Sequence, residues 1–200
     1  MAAHAFDLSG GNLALDFANS QGGSRAKPEE HLFTYDDVLV WARQTEIVDA
    51  AQSRRLARIA GRHPTDAQKV FRRAIELREA IFRAFDARAA GRREPPDAIA
   101  AIDREARVAA AHWGLRSRDG EVGRAWDDGD ALDRPIWPVA VAASGLLLER
   151  SEHIVKECSS ETCDWLFIDR SRNRSRRWCD MRDCGNREKA RRHYARSRGR

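Results

Sequence analysis

The chain reads as a mostly α-helical protein with one small β hairpin, ending in a small module of strand, loop and C-terminal helix. Three observations predict this. Apolar residues recur three and four apart over much of the chain before position 150, an Asp119-Gly120 pair breaks that pattern once, and all four cysteines lie between Cys158 and Cys184.

The opening, Phe6 to Ser20, is broken by Gly10-Gly11, after which Leu13, Leu15 and Phe17 alternate; strand and short helix both satisfy that pattern. A Gly-rich loop from Gln21 to Lys27 follows. Thr34 or Asp36 caps a helix carrying Val38, Leu39, Trp41 and Ala42, and a second helix runs from Ala50 to Ala60. Thr65 or Asp66 then caps a long helix. Its stripe of Val70, Ala74, Leu77, Ile81 and Phe85 is widened by Phe71, Ile75 and Phe82, and Gly91 ends it. Pro95-Pro96 opens a helix from Asp97 to His112 with Ile99, Ile102 and Ala106 inward. Asp119-Gly120 marks the hairpin turn. Pro135 and Pro138 introduce an apolar helix reaching about Glu152. Its 13-residue apolar run, Ile136 to Leu148, is short of the roughly 20 residues a membrane span needs. The N-terminus has neither a basic start nor an apolar run, so the expectation is a cytoplasmic protein without membrane attachment.

Charge divides the chain. Residues 170–200 carry a net charge of +10, whereas residues 1–169 carry −5. A basic tail on a mildly acidic body suits a phosphate-bearing partner, although charge alone also fits a free solubilising tail.

The cysteines narrow the choice. Cys158-x4-Cys163 and Cys179-x4-Cys184, fifteen residues apart, can surround one structural Zn2+ with four sulfurs. Disulfides are the competing reading, and a reducing compartment disfavours them. Four sulfurs leave no site for water, so catalysis at the metal is not expected. His153 and His193 flank the cluster and could each replace a sulfur. Trp165-Leu-Phe-Ile-Asp169 reads as a strand, with Trp165 and Phe167 on one face and Leu166 and Ile168 on the other. With Trp178, these aromatic residues suit a small core beside the metal better than a base-stacking platform. Arg170, Arg172, Asn173, Arg174, Arg176 and Arg177 then form a basic loop whose two ends the metal ties down. A helix from Asn186 to Arg198 presents Lys189, Arg192 and Arg196 on one face, with Arg187 and Arg191 nearby. The module is thus treble-clef-like or ribbon-like, with residues 154–200 following a helical body of residues 1–153.

The module resembles the CGNR zinc finger family, whose name is spelled by Cys184-Gly185-Asn186-Arg187. The likeness runs from about 154 to 197 and includes Cys158, Cys163, Trp165, Phe167, Asp169 to Arg174 and Trp178-Cys179. Residues 6–150 resemble the ABATE domain through Leu15-Asp-Phe-Ala-Asn-Ser20, where that family typically ends in Thr. The pair implies a bacterial stress-induced transcriptional regulator. Within the CGNR motif, Gly185 would permit a tight turn and Asn186 would cap the helix. Arg187 would contact phosphate or a guanine edge, or else hydrogen-bond back to Asp169 or a loop carbonyl.

The leading expectation is a DNA-binding regulator in which Arg170, Arg172, Asn173, Arg174, Arg176, Arg177, Asn186, Arg187, Lys189, Arg191, Arg192 and Arg196 meet double-stranded DNA. The body would sense a small-molecule effector, form a homodimer, or both. A zinc-stabilised RNA- or protein-binding module is the alternative. For an enzyme, no nucleophile–base pair or phosphate loop is visible. Asp16 and Asn19 either line a ligand pocket or bond nearby backbone to fix the Gly-rich loop.

Overall fold

The computed structural model describes residues 6–118, 120–127, 129–149 and 155–198. The alternating Leu13, Leu15 and Phe17 lie in a short helix: Asn12 accepts a hydrogen bond from the Ala14 amide at 2.9 Å and caps α1, Leu13–Ala18. Leu15 and Phe17 are fully buried. The Gly-rich stretch pairs as a hairpin, β1 Gly22–Ser24 with β2 Lys27–Glu29. Gly23 has φ +72, and a Cβ there would lie 2.3 Å from the Lys27 carbonyl oxygen, so the turn requires glycine.

Thr34 starts α2, Tyr35–Gln44, and Asp37 returns its carboxylate to the Thr34 amide at 2.8 Å, closing a capping box. Val38, Leu39, Trp41 and Ala42 are all buried. Asp49 caps α3, Ala50–Arg62. The long helix α4, Pro64–Ala89, begins earlier than the Thr65 or Asp66 cap expected from sequence. Pro64 occupies the first helical turn, where its missing N–H costs nothing, and Asp66 lies inside that turn. The stripe from Val70 to Phe85 is buried, and α4 packs against α1, α2, α3 and α5.

Helix α5, Pro96–Ala110, turns the expected Ile102 and Ala106 towards the core but not Ile99. Ala98, Ile102, Glu105 and Ala109 face inward, whereas Ile99 is 36% exposed. Glu105 is paired there: Arg73 holds Glu105 at 2.8 Å and Asp133 at 3.1 Å. Strands β3, Trp113–Arg118, and β4, Glu121–Trp126, form the expected hairpin; Asp119 of its turn lies outside the described residues. A short 3-10 turn, Arg134–Ile136, leads into α6, Trp137–Leu148, which packs on α1 and α5. It ends before the expected Glu152, itself outside the described residues. Arg88 closes that end by donating to the Leu146 and Leu147 carbonyls, each at 2.9 Å. Among the described residues no helix is long and apolar enough to cross a membrane.

Strands β5, Val155–Glu157, and β6, Leu166–Ile168, pair antiparallel with Leu166 opposite Glu157. Val155, Leu166 and Ile168 join the helical core, while Phe167 turns the other way, into a second core with the four cysteines. A wide turn, Met181–Gly185, then feeds α7, Asn186–Arg198.

Arg78 is 2% exposed on the inward side of α4 and grips Glu30 through two bonds of 2.7 and 2.6 Å. Burial raises the Glu30 carboxyl, but Arg78 and two backbone donors outweigh it and bring its pKa down to about 2. A lowered carboxyl contributes stability above its unfolded value and loses it as pH falls through the folded value. Glu30→Gln should therefore cost about 2 kcal/mol at neutral pH. That is less than the roughly 3–5 kcal/mol of a fully buried pair, because Glu30 is partly exposed and Arg78 retains Glu79. In denaturant titrations the gap to the parent chain should close as pH falls from 4.5 towards 2.

Candidate metal centre and nucleic-acid interface

Each cysteine is delivered by backbone that the sequence shapes locally. Cys158 follows β5, and its amide bonds the Trp165 carbonyl at 2.8 Å. Cys163 closes a short turn on the Ser160 carbonyl at 3.2 Å. Cys179 follows the arginine loop, and Cys184 sits in the wide turn that Asp180 starts by accepting from the Arg182 amide. The four sulfurs are buried and lie within 4.8 Å of one another. Cys163 and Cys179 are 3.7 Å apart, and Cys179 and Cys184 are 3.6 Å apart. A zinc ion with four sulfurs at about 2.3 Å in a tetrahedron puts them about 3.8 Å from one another. A disulfide would need about 2.05 Å. The donor set thus fits one zinc ion, closed to substrate. His193 is exposed and outside the cluster, and His153 lies outside the described residues. Trp165 and Trp178 pack with Phe167 against the cysteines, as a core rather than a stacking platform.

The arginine loop is folded around Asp169. This carboxylate is 3% exposed and accepts from Lys156 Nζ at 2.7 Å, Ser171 Oγ at 2.6 Å, and the Ser171 and Arg176 amides at 2.9 and 3.0 Å. Burial raises its pKa, yet the Lys156 ammonium and the Ser171 donors prevail and hold it well below the usual carboxylate range. Lys156 also bonds the Arg174 carbonyl, where the backbone takes φ +47. Sequence reasoning passed over Lys156; its only signal was a lone ammonium two residues before a metal ligand.

The predicted contact residues separate. Arg170, Arg172, Asn173, Arg174 and Arg177 are exposed, and Arg170 also donates to the Gly11 carbonyl at 3.1 Å. Arg176 turns inward. Its guanidinium donates to the carbonyls of Trp178 at 2.9 Å, Ser9 at 3.2 Å and Cys179, and lies over the Phe167 ring. On α7, Lys189, Arg192 and Arg196 are exposed. Arg191 is held by Glu161 at 2.7 Å and Glu188 at 2.9 Å. Glu188, buried and also missed from sequence, bonds Ser160 Oγ at 3.2 Å and so docks α7 on the first cysteine loop.

Three motif expectations change. Asn186 is already helical and donates back to the Arg182 carbonyl at 2.9 Å, so Asp180, not Asn186, caps the turn. Gly185 has no left-handed φ; a Cβ there would instead meet the Met181 side chain at 2.5 Å. Arg187 bonds neither Asp169 nor a carbonyl: its Nη2 lies 2.9 Å from Cys184 Sγ and 3.3 Å from Asp183. A guanidinium there offsets the negative charge of a zinc thiolate shell.

Asp16 and Asn19 both engage backbone. Asp16 accepts from the Gly10 amide at 2.8 Å, and burial, reinforced by Asp7, pushes its carboxyl up to about 6 despite that bond. The Asn19 side chain bonds Leu166 twice, accepting from its amide at 2.9 Å and donating to its carbonyl at 2.8 Å. Asn19 also borders a cleft of about 370 Å³ between the β1–β2 hairpin and the metal centre, which Trp165 and Arg187 line. Asp16 does not line it. A second hollow of about 430 Å³ is lined by Asn12, Arg170, Arg172 and Arg174.

Comparison with known proteins agrees with this anatomy. The ABATE family model, described as a putative stress-induced transcription regulator, matches residues 11–150. The CGNR zinc finger model matches residues 155–197. No curated protein matches the chain. The chain belongs to the ABATE family and carries a CGNR zinc finger whose four cysteines bind one zinc ion.

Proposed function

We propose that this protein is a DNA-binding transcriptional regulator that acts by binding rather than by catalysis, with residues 154–200 as the DNA module and residues 1–153 as its regulatory body. The observation that carries this reading is a tethered, exposed arginine loop: both ends lead to metal ligands, and the buried Asp169, paired with Lys156, sets its conformation. A free basic tail would lose conformational entropy on meeting phosphate, and this loop has already lost it. Arg170, Arg172, Asn173, Arg174 and Arg177, with Lys189, Arg192 and Arg196 of α7, are the groups assigned to DNA. Asn186 lies beside them. Arg176, Arg187 and Arg191 hold the module together. The cleft beside the metal centre is the room assigned to an effector, and a homodimer would serve a pseudo-symmetric operator.

With about seven cationic contacts to phosphate, log affinity should fall with log salt at a slope of about −6. A slope near zero sinks the proposal, and tighter binding of duplex RNA in direct competition would transfer it to RNA. Replacing Arg172 or Arg174 with Ala should weaken binding and reduce the slope by about one unit each. Asp169→Asn leaves every basic residue in place but loosens the loop, so it should reduce affinity while keeping the slope.

Metal analysis of the purified chain should return one zinc per chain. Removing it with a chelator should abolish duplex binding beyond that of a polycation of equal charge. Retention of full affinity after stripping would refute a metal-organised reader.

A further inference from the structure

The helical body and the finger are joined along one strand edge. β5 covers one side of β6. Among the described residues no strand pairs on its other side, and an open edge would leave backbone groups unpaired. Residues of the N-terminal segment close it. Asn19, itself 2% exposed, makes its two bonds to Leu166, and the Gly10 carbonyl accepts from the Ile168 amide at 2.8 Å. Around that edge Trp165 Nε1 donates to the Gln21 carbonyl at 2.8 Å, and Asp164 accepts from the Arg25 amide at 2.6 Å. Leu166 and Ile168 lie in one core with Leu15 and Phe17, while Phe167 between them lies in the metal core.

We propose that Asn19 couples zinc occupancy to the helical body, so that the body responds to whether the finger holds its ion. The ion fixes Cys158 and Cys163, and these bracket the chain that turns back into β6. Without it the second core is four cysteines around Phe167, with Trp165 and Trp178 packed against them, and no disulfide ties the two cysteine pairs together. The strand's other face then leaves the helical core, uncovering Leu15 and Phe17. Asn19 is a positioning residue in this scheme: it touches no zinc ligand, and it acts through the Leu166 backbone. Coupling of this kind is reciprocal, so a body that grips β6 less firmly must also hold zinc less firmly. The inference concerns metal and body alone and stands whether or not the partner is DNA.

The test uses the full chain, zinc-loaded and chelator-stripped, with helical melting followed by far-ultraviolet circular dichroism and zinc affinity by competition with a chromogenic chelator. Stripping the parent chain should lower the melting temperature of the helical signal, which α2 to α6 dominate. Asn19→Ala should weaken zinc binding about tenfold, at the lower end of what outer supports of metal sites contribute. It should also lower the melting temperature more in the loaded chain than in the stripped one. An unchanged helical melt on stripping overturns the proposal. So does an Asn19→Ala loss equal in both states with zinc affinity intact, since that describes a merely structural residue. If Asn19→Ala does not fold, Trp165→Phe keeps the ring against the metal core but deletes the bond to Gln21. The same comparison then applies, with additive losses again overturning the coupling.

Discussion

Side chains on a strand alternate, and β6 uses that alternation to face two cores at once. Leu166 and Ile168 complete the helical core, and Phe167 completes the metal core. Three residues cannot hold such a position unaided, because a two-stranded ribbon is marginal in water. The remaining constraints therefore converge on it: the zinc shell behind, α1 and α4 in front, and Asn19 with Gly10 along the open edge.

From this strand the arginine loop inherits its order. Asp169 follows Ile168 directly, so the residue that organises the loop is placed by the strand both cores hold. A buried carboxylate needs partners, and Asp169 finds them in Lys156 and in the loop's own amides and hydroxyl. The loop's backbone thus wraps an anion while its cationic side chains mostly face solvent. The same residue type does two jobs within eight positions. Arg176 satisfies carbonyls that would otherwise be stranded around the metal core, whereas Arg172 and Arg174 are left on the surface.

Arginine also acts as an internal tie in the helical body. Arg78 and Arg88 lie on α4 among apolar residues and reach polar groups on neighbouring segments, Glu30 in one case and the end of α6 in the other. Long stems and fork-shaped heads permit this, since the stem packs while the head bonds. Arg73 does the same for Glu105 and so ties α4 to α5.

The sequence by itself determined the element order over most of the chain, the four zinc ligands and the alternation of β6, because each rests on a local period or a ligand spacing. Helical stripes such as Val70 to Phe85, and pairs such as Cys158 with Cys163, need only near neighbours to be recognised. Only the tertiary structure decided the rest: which arginines tie and which face solvent, that Asn19 reaches Leu166 across 147 positions, and that Arg187 leans on Cys184. Those outcomes depend on partners distant in sequence, or on where a long flexible side chain finds its nearest acceptor. No local pattern records either.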